Sequence, residues 1–237
     1  MMPQPSQPPR KTQTKVVAAI PCFNTQPFIT GVVAKAKEHV DQVIVIDDGS
    51  GDGTAEAARA AGALVTTHDT NRGYGKAIRS CFEAAKTNDA DILVILDGDN
   101  QHNPDEIPLL LKPLLKGEAD LVIGSRFLTD EVTMPRYRKF GISVITLLFN
   151  LGSETKVSDA QSGFRAYDKK VFQSLSLAET GMSVSIETLV KAKRSGFRIK
   201  EVPIHCHYPS SRLSIKAIKH GLGIIFAMLR LRFKNLL

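Results

Sequence analysis

Tryptophan is absent from the 237 residues, aromatics make up only 6%, and cysteine occurs three times. The thiols Cys22, Cys81 and Cys206 are odd in number, far apart and without a CxxC pair. That excludes a disulfide framework and points to a reducing compartment. The few aromatics hardly interleave with the basic residues near the C-terminus, which excludes nucleic-acid binding of the stacking kind. The apolar segment 221–229 is far shorter than the roughly 20 residues a membrane-spanning helix needs. Residues 1–14 are rich in Pro and Gln without an apolar stretch, so they read as a disordered tail and not a signal peptide. The glycine-rich stretch Asn71-Arg72-Gly73-Tyr74-Gly75-Lys76 lacks the GKS/T ending of a Walker A loop.

What is present is ordinary globular composition, 43% hydrophobic and 23% charged, at a length that holds one α/β domain with a full core. The net charge of +7 is unevenly placed. From Lys191 onward eleven Lys/Arg face one acid, Glu201, so this end carries +10 and the body −3. Such a basic end calls for an anionic partner, a membrane surface or a phosphorylated substrate.

Short apolar runs alternate with stretches of helical spacing. Val16–Ile20 closed by Pro21, Gln42–Ile46 closed by Asp47-Asp48-Gly49-Ser50, Leu64–Thr67, Ile92–Leu96 and 120–124 read as strands. Residues 28–39, with Phe28, Val32 and Ala36 on one face, and 54–61, 74–86 and 104–116 read as helices. Further on come 137–151, basic then apolar, a turn and strand over 161–167, and a helix over 185–195 ended by Gly196. A strand from Phe197 to Ile204 follows, placed at a sheet edge by Pro203. The pattern predicts an α/β fold, a Rossmann-like, mostly parallel sheet with helices on both faces, spanning residues 15–212. Residues 213–237 read as a basic amphipathic helix, lying at a membrane interface or packed on the core with its basic face in water. His205-Cys206-His207 alternates as a strand would, with both histidines on one face, and is a poor zinc site.

Ligands on such a sheet bind at the carboxyl ends of the strands. Pro21 to Asn24, Asp47-Asp48 and Asp97 to Asp99 all fall there and converge. In Asp97-Gly98-Asp99 the glycine lets the backbone bend so that two carboxylates meet one hard divalent cation. A solvated acidic turn is the alternative.

Taken in order, Ile20-Pro21-Cys22-Phe23-Asn24, Val45-Ile46-Asp47-Asp48-Gly49-Ser50, Asp52-Gly53-Thr54, Asn71-Arg72-Gly73, Leu96-Asp97-Gly98-Asp99, Gln101-His102, Gly124-Ser125-Arg126 and Gln161-Ser162-Gly163-Phe164-Arg165 carry a likeness over about residues 16–204. The chain resembles the family 2 glycosyltransferases with the GT-A fold, and among them the polyprenyl- and dolichyl-phosphate sugar synthases. The resemblance implies a nucleotide-diphosphate sugar donor, GDP- or UDP-linked. Pro21, Phe23, Asn24 and Asp48 match positions around the base and ribose, Lys76 a lip of the donor site, and Asp97 and Gly98 positions beside the ribose and metal. Asp99 and Gln101, with Asp97, match ligands of Mg²⁺ or Mn²⁺. Arg126 and Arg212 match positions that cradle an acceptor phosphate, with Arg136 and Arg138 as further contacts. Asp97, Asp99, Arg126 and Arg212 would then carry catalysis.

The expected reaction is an inverting, metal-dependent hexosyl transfer to polyprenyl (dolichyl) phosphate. A phosphate monoester, with a second pKa of about 6, needs no general base. A hydroxyl acceptor does, and Glu187 falls near the position of that base. A non-catalytic, membrane-associated nucleotide-binding module is a third reading, against which Asp97, Asp99 and Gln101 speak. The apolar stretch 142–151 and the C-terminal helix offer a path for a lipid tail, so the expected location is cytoplasmic, peripheral on the cytoplasmic face of a membrane.

Overall fold

The structure, a computed structural model, describes residues 14–129, 134–151 and 156–208, together with Gly223 and Phe226. The tail expected over 1–14 lies outside them except for Thr14. So does the C-terminal helix of 213–237 except for Gly223 and Phe226, which are helical.

Seven strands form one sheet in the order β3-β2-β1-β4-β6-β5-β7. They are β1 (Val16–Cys22), β2 (Gln42–Asp47), β3 (Leu64–Thr67), β4 (Ile92–Ile95), β5 (Leu121–Ser125), β6 (Arg165–Asp168) and β7 (Ile199–Pro203). β6 is antiparallel to β4 and β5, and every other pairing is parallel. The helices are α1 (Gln26–Ala36), α2 (Thr54–Ala60), α3 (Tyr74–Thr87), α4 (Ile107–Leu115), α5 (Arg136–Asn150), α6 (Lys169–Ser174) and α7 (Val184–Arg194).

Period-two alternation divides the strand side chains between two cores. Val17, Ala19, Ile44, Ile46, Leu93 and Ile95 face the helices α3, α5, α6 and α7. Their neighbours Ala18, Ile20, Val43, Val45, Ile92 and Val94 face α1, α2 and α4. Both faces of the central strands are thus dry, and β1 is buried along its whole length.

Some local expectations need correcting. The buried face of α1 is Ile29, Val32, Val33 and Ala36, so Val32 and Ala36 lie on it as expected, while Phe28 stands exposed because at 28 the side chain falls on the flank of the 29, 32, 33, 36 stripe. The 104–116 segment is a 3-10 turn at Pro104–Glu106 followed by α4, with a second proline, Pro108, opening the α-helix. β7 is an edge strand, as Pro203 requires, but it ends there. His205 and His207 are outside it, and Cys206 makes only an isolated bridge to His102.

The amino-terminal edge of the sheet is held by Asp120. Its carboxylate takes Arg198 NH2 at 2.7 Å, Arg198 Nε at 3.1 Å and Lys170 Nζ at 2.7 Å, tying β5 to the starts of α6 and β7. The Arg198 hydrogen bonds, with Lys170 adding to them against the cost of burial, hold this carboxyl well below its ordinary 3.8. A depressed folded pKa means the contribution is present above that ordinary value and is lost as pH falls through the lower folded value. Asp120→Asn is expected to cost about 1–2 kcal/mol at neutral pH, less than a fully buried pair because both cations are half exposed. The loss should shrink below about pH 3, a pattern that urea denaturation at several pH values checks.

Candidate active site

Because every strand but β6 points the same way, one edge of the sheet gathers the ends of β1, β2, β4, β5 and β7 and the start of β6. The site is built there in two halves.

The first half lies over β1 and β2. β1 stops at Cys22, and Phe23 and Asn24 stand exposed beyond it, Asn24 in the left-handed region at φ 53°. Asn24 braces two loops: its N–H donates to Ser50 Oγ at 2.9 Å, and its Oδ1 accepts the Gly51 N–H at 3.0 Å. Asp52 takes the Gln26 N–H at 3.1 Å and the Thr54 hydroxyl at 2.5 Å, and Thr54 Oγ1 accepts the Thr25 N–H at 2.9 Å. Pro21 is inside β1, opposite Ile46.

Asp48 is buried and already well coordinated. It accepts from Arg72 N at 2.9 Å, Gly73 N at 2.8 Å and His68 Nδ1 at 2.6 Å. His68 Nε2 in turn meets Ser80 Oγ of α3 at 2.9 Å. The carboxylate therefore shapes the glycine-rich loop before α3 and keeps about one lone-pair direction for anything else. Neither the loop-shaping role nor His68 is visible in the sequence, since His68 follows a strand with nothing around it to mark it. Lys76 lines a groove of about 330 Å³ with Arg79, Lys86 and residues 173–177, none of which belongs to the acidic turn.

At the end of β4 the acidic turn packs directly on β1. Any side chain at Gly98 would collide with Cys22 Sγ, which is why a glycine stands there. Burial pushes the Cys22 thiol up to about 12, so it is an inert floor. Asp97 and Asp99 are half-buried. Both carboxyl pKa values are raised, chiefly by burial and, for Asp99, by the neighbouring Asp97 charge. Asp99 accepts the Gln101 N–H at 3.1 Å and the Gln101 side-chain amide. Among the described residues no Lys or Arg forms an ion pair with either acid. Two carboxylates that repel and lack a Lys or Arg ion-pair partner, with a side-chain amide beside them, would suit a hard divalent ion. Asp97, Asp99 and Gln101 fit Mg²⁺ or Mn²⁺ chemically, with Gln101 turning its Oε1 to the ion.

His102 anchors this turn. It is buried, and burial above all lowers its pKa to about 4, so it is neutral. Its Nδ1 accepts the Asp97 N–H at 3.3 Å, and its ring lies 5.2 Å from that of Phe164.

The second half begins with Arg126, at the end of β5. Asp159, 0% exposed, grips it through Nε at 2.6 Å and NH2 at 2.8 Å, and NH1 donates to Tyr208 Oη at 2.6 Å. Burial opposes this charge, but Asp159 and Tyr208 more than offset it and hold the Arg126 pKa above the ordinary arginine value. One N–H on each of NH1 and NH2 is left over. Asp159 itself is placed by the 158–159 N–H groups, which donate to Glu201 of β7 at 2.6 and 3.0 Å. Arg138 of α5, exposed, lies over the Tyr208 ring at 4.7 Å. Arg136 is exposed two residues earlier, and Arg212 lies outside the described residues.

The two halves are stitched by residues 204–208. Ile204 N–H donates to Ser125, His205 meets Glu106 at 2.7 Å, Cys206 bridges to His102, and His207 N–H donates to Gln101 O at 2.9 Å. Arg126 and Arg138 both lower the Asp97 pKa against its burial, so cations and acids share one electrostatic field. Glu187, by contrast, is 1% exposed and engaged by the Ala178 and Glu179 N–H groups and by Lys191 at 2.8 Å.

Asp159 and Tyr208 escape sequence reading because their partners are distant in the chain. The turn-rich Ser158-Asp159-Ala160-Gln161-Ser162-Gly163 is the only signal. Asp159→Ala strands a buried guanidinium and is expected to cost about 3–5 kcal/mol in urea denaturation. A loss below about 1 kcal/mol would mean that the pair is not a strut of this edge.

Comparison with known proteins matches this arrangement. The family described as Glycosyl transferase family 2 matches residues 17–176. The UDP-N-acetylglucosamine–dolichyl-phosphate N-acetylglucosaminyltransferase of Methanococcus voltae is 30% identical, over 92% of this chain and 96% of its own. The polyprenol monophosphomannose synthase of Mycolicibacterium smegmatis is 33% identical over 82% of this chain and 78% of its own. Among solved structures, glucosyl-3-phosphoglycerate synthase from Mycobacterium tuberculosis, in complex with Mn²⁺, UDP and glucosyl-3-phosphoglycerate, superposes with a TM-score of 0.76 at 26% identity, covering 92% of this chain and 80% of that one. The sheet with its single reversed strand, the acidic turn on its carboxyl edge and these matches have one meaning: the chain is a GT-A-fold enzyme that belongs to glycosyl transferase family 2.

Proposed function

We propose that the protein transfers a hexose, with inversion, from a nucleotide-diphosphate sugar to a polyprenyl or dolichyl phosphate. The observation that carries this reading is the Arg126 cluster facing the acidic turn. A phosphate acceptor is dianionic near neutral pH and needs positioning, not deprotonation. Arg126, aligned by Asp159 and with two N–H groups left, suits bidentate binding of phosphate. Arg138, held over Tyr208, adds charge from the exposed side. Glu187 is tied to backbone amides and Lys191, which supports the phosphate-acceptor reading over a hydroxyl acceptor with Glu187 as base.

The donor's base and ribose lie between Phe23, whose ring is exposed, and the loop that Asp48 shapes. Asp97, Asp99 and Gln101 would hold a divalent cation, whose charge would offset that of the departing nucleotide diphosphate. The acceptor oxygen then attacks the anomeric carbon as the bond to the diphosphate breaks. The product is a sugar joined to the lipid through a phosphodiester. The nucleotide is UDP- or GDP-linked; two relatives carry UDP in their descriptions.

Among the described residues no helix is long and apolar enough to cross a membrane. Phe140, Leu147 and Leu151 on and just after α5 are 72%, 61% and 50% exposed, and Arg136 and Lys139 stand at its start. That combination suits peripheral attachment to an anionic bilayer surface, and three cysteines outside any disulfide suit its cytoplasmic face.

Incubation with a panel of labelled UDP- and GDP-sugars and polyprenyl phosphate is expected to give a lipid-linked sugar with Mn²⁺ or Mg²⁺ and none after chelation. No lipid-linked product from any donor would overturn the assignment. Arg138→Ala, an exposed change, is expected to raise the KM for the lipid phosphate about tenfold, a loss of about 1.4 kcal/mol, with the donor KM unchanged. Steady-state kinetics in the two substrates checks it.

A further inference from the structure

Arg165 is buried near the acidic turn without a carboxylate to meet it. It is 2% exposed. NH1 donates to the Ser185 carbonyl at 2.8 Å and NH2 to the Ala160 carbonyl at 2.9 Å. Among the described residues Nε has no hydrogen-bond partner and no Asp or Glu forms an ion pair with this side chain. Burying a guanidinium among neutral groups, two carbonyls and the Tyr167 phenol beside it, is costly. The charge borders a cavity of about 10 Å³ shared with Tyr74, Gly163 and Tyr167, near the lower limit for a single water.

Tyr74 stands between that charge and the acids. Its hydroxyl donates to Asp97 Oδ1 across a long 3.4 Å. Burial raises the phenol pKa most, the Asp97 charge raises it further and Arg165 lowers it, so the ring lies in the field of both. Gly163 closes the third side: a Cβ there would sit 3.0 Å from Asp97 Oδ2 and 3.0 Å from the Tyr74 hydroxyl.

We propose that Tyr74 is a positioning residue for Asp97, with Arg165 behind it and Gly163 making room for the contact. The idea rests on reading Asp97, Asp99 and Gln101 as the cation site. A Lys or Arg paired directly with Asp97 would compensate its charge but occupy the oxygens that a cation needs. A positive charge set behind a phenol does otherwise. It strengthens the phenol as a donor and aims one carboxylate oxygen, leaving the others open.

The test is Mn²⁺ binding by the full chain, measured by the loss of the free-ion EPR signal, without nucleotide or acceptor. Tyr74→Phe removes one oxygen and is expected to weaken Mn²⁺ affinity about tenfold, the scale of lost outer-sphere partners, with thermal unfolding close to wild type. Gly163→Ala, which displaces the same carboxylate, should act in the same direction. In an Asp97→Asn background Tyr74→Phe should add nothing. A folded Tyr74→Phe protein binding Mn²⁺ as wild type does would overturn this proposal alone, as would a further loss in the Asp97→Asn background. Wild type that takes up no Mn²⁺, or Asp99→Asn binding it equally well, would overturn the cation site and this proposal with it.

Discussion

The grip of Asp159 on Arg126 is the interaction on which the working edge of this protein depends. A guanidinium at the end of β5 would be intolerable if buried alone. Paired in a fork with a carboxylate that is itself placed by Glu201 of β7, it becomes a strut joining β5, β7 and the 156–161 segment. Tyr208 completes the strut and extends it to α5 through Arg138. The cost of burying the charge is met by geometry, and the same geometry leaves two N–H groups directed by the fold and not by the ligand.

The two halves of the site are built by different means. Over β1 and β2 the loops are held by carboxylates and small hydroxyls accepting backbone N–H groups, as at Asp48, Asp52 and Thr54. Such bonds fix backbone shape with little dependence on what is bound. Over β5 and β7 the bracing runs between long side chains and across long stretches of sequence, as from Arg126 to Tyr208. The acidic turn touches both, packing on Cys22 of β1 at Gly98 and taking the 204–208 segment at Gln101 and His102.

What could be read in advance follows this division. The strands, their alternation with helices, the edge position of β7 and the acidic turn are local patterns, and each stands where its residues put it. Phe28 misled because it shares i, i+4 spacing with Val32 yet falls on the flank of the buried stripe, which runs 29, 32, 33, 36. His68 and Tyr208 gave no sign, and Asp159 only that of a turn-rich stretch, because their meaning lies in partners far away in sequence. Asp48 was legible as a residue of the site but not as the residue that shapes the loop around it. Arg165 stood inside a recognised motif, yet only burial reveals that it lacks a counter-charge.

The order of strands in the sheet also governs how the chain can be assembled as it is made. β1, β2, β3 and β4 pair among themselves, so by the time α4 is reached only the outer edge of β4 in this half of the sheet still waits for a partner, β6. β5 is different, because both of its neighbours, β6 and β7, come after it. A buried strand is therefore synthesised some forty residues before anything in its own chain can cover its edges. The nascent protein acquires the side that carries the acidic turn first and must keep one apolar strand from strangers while it waits for the other.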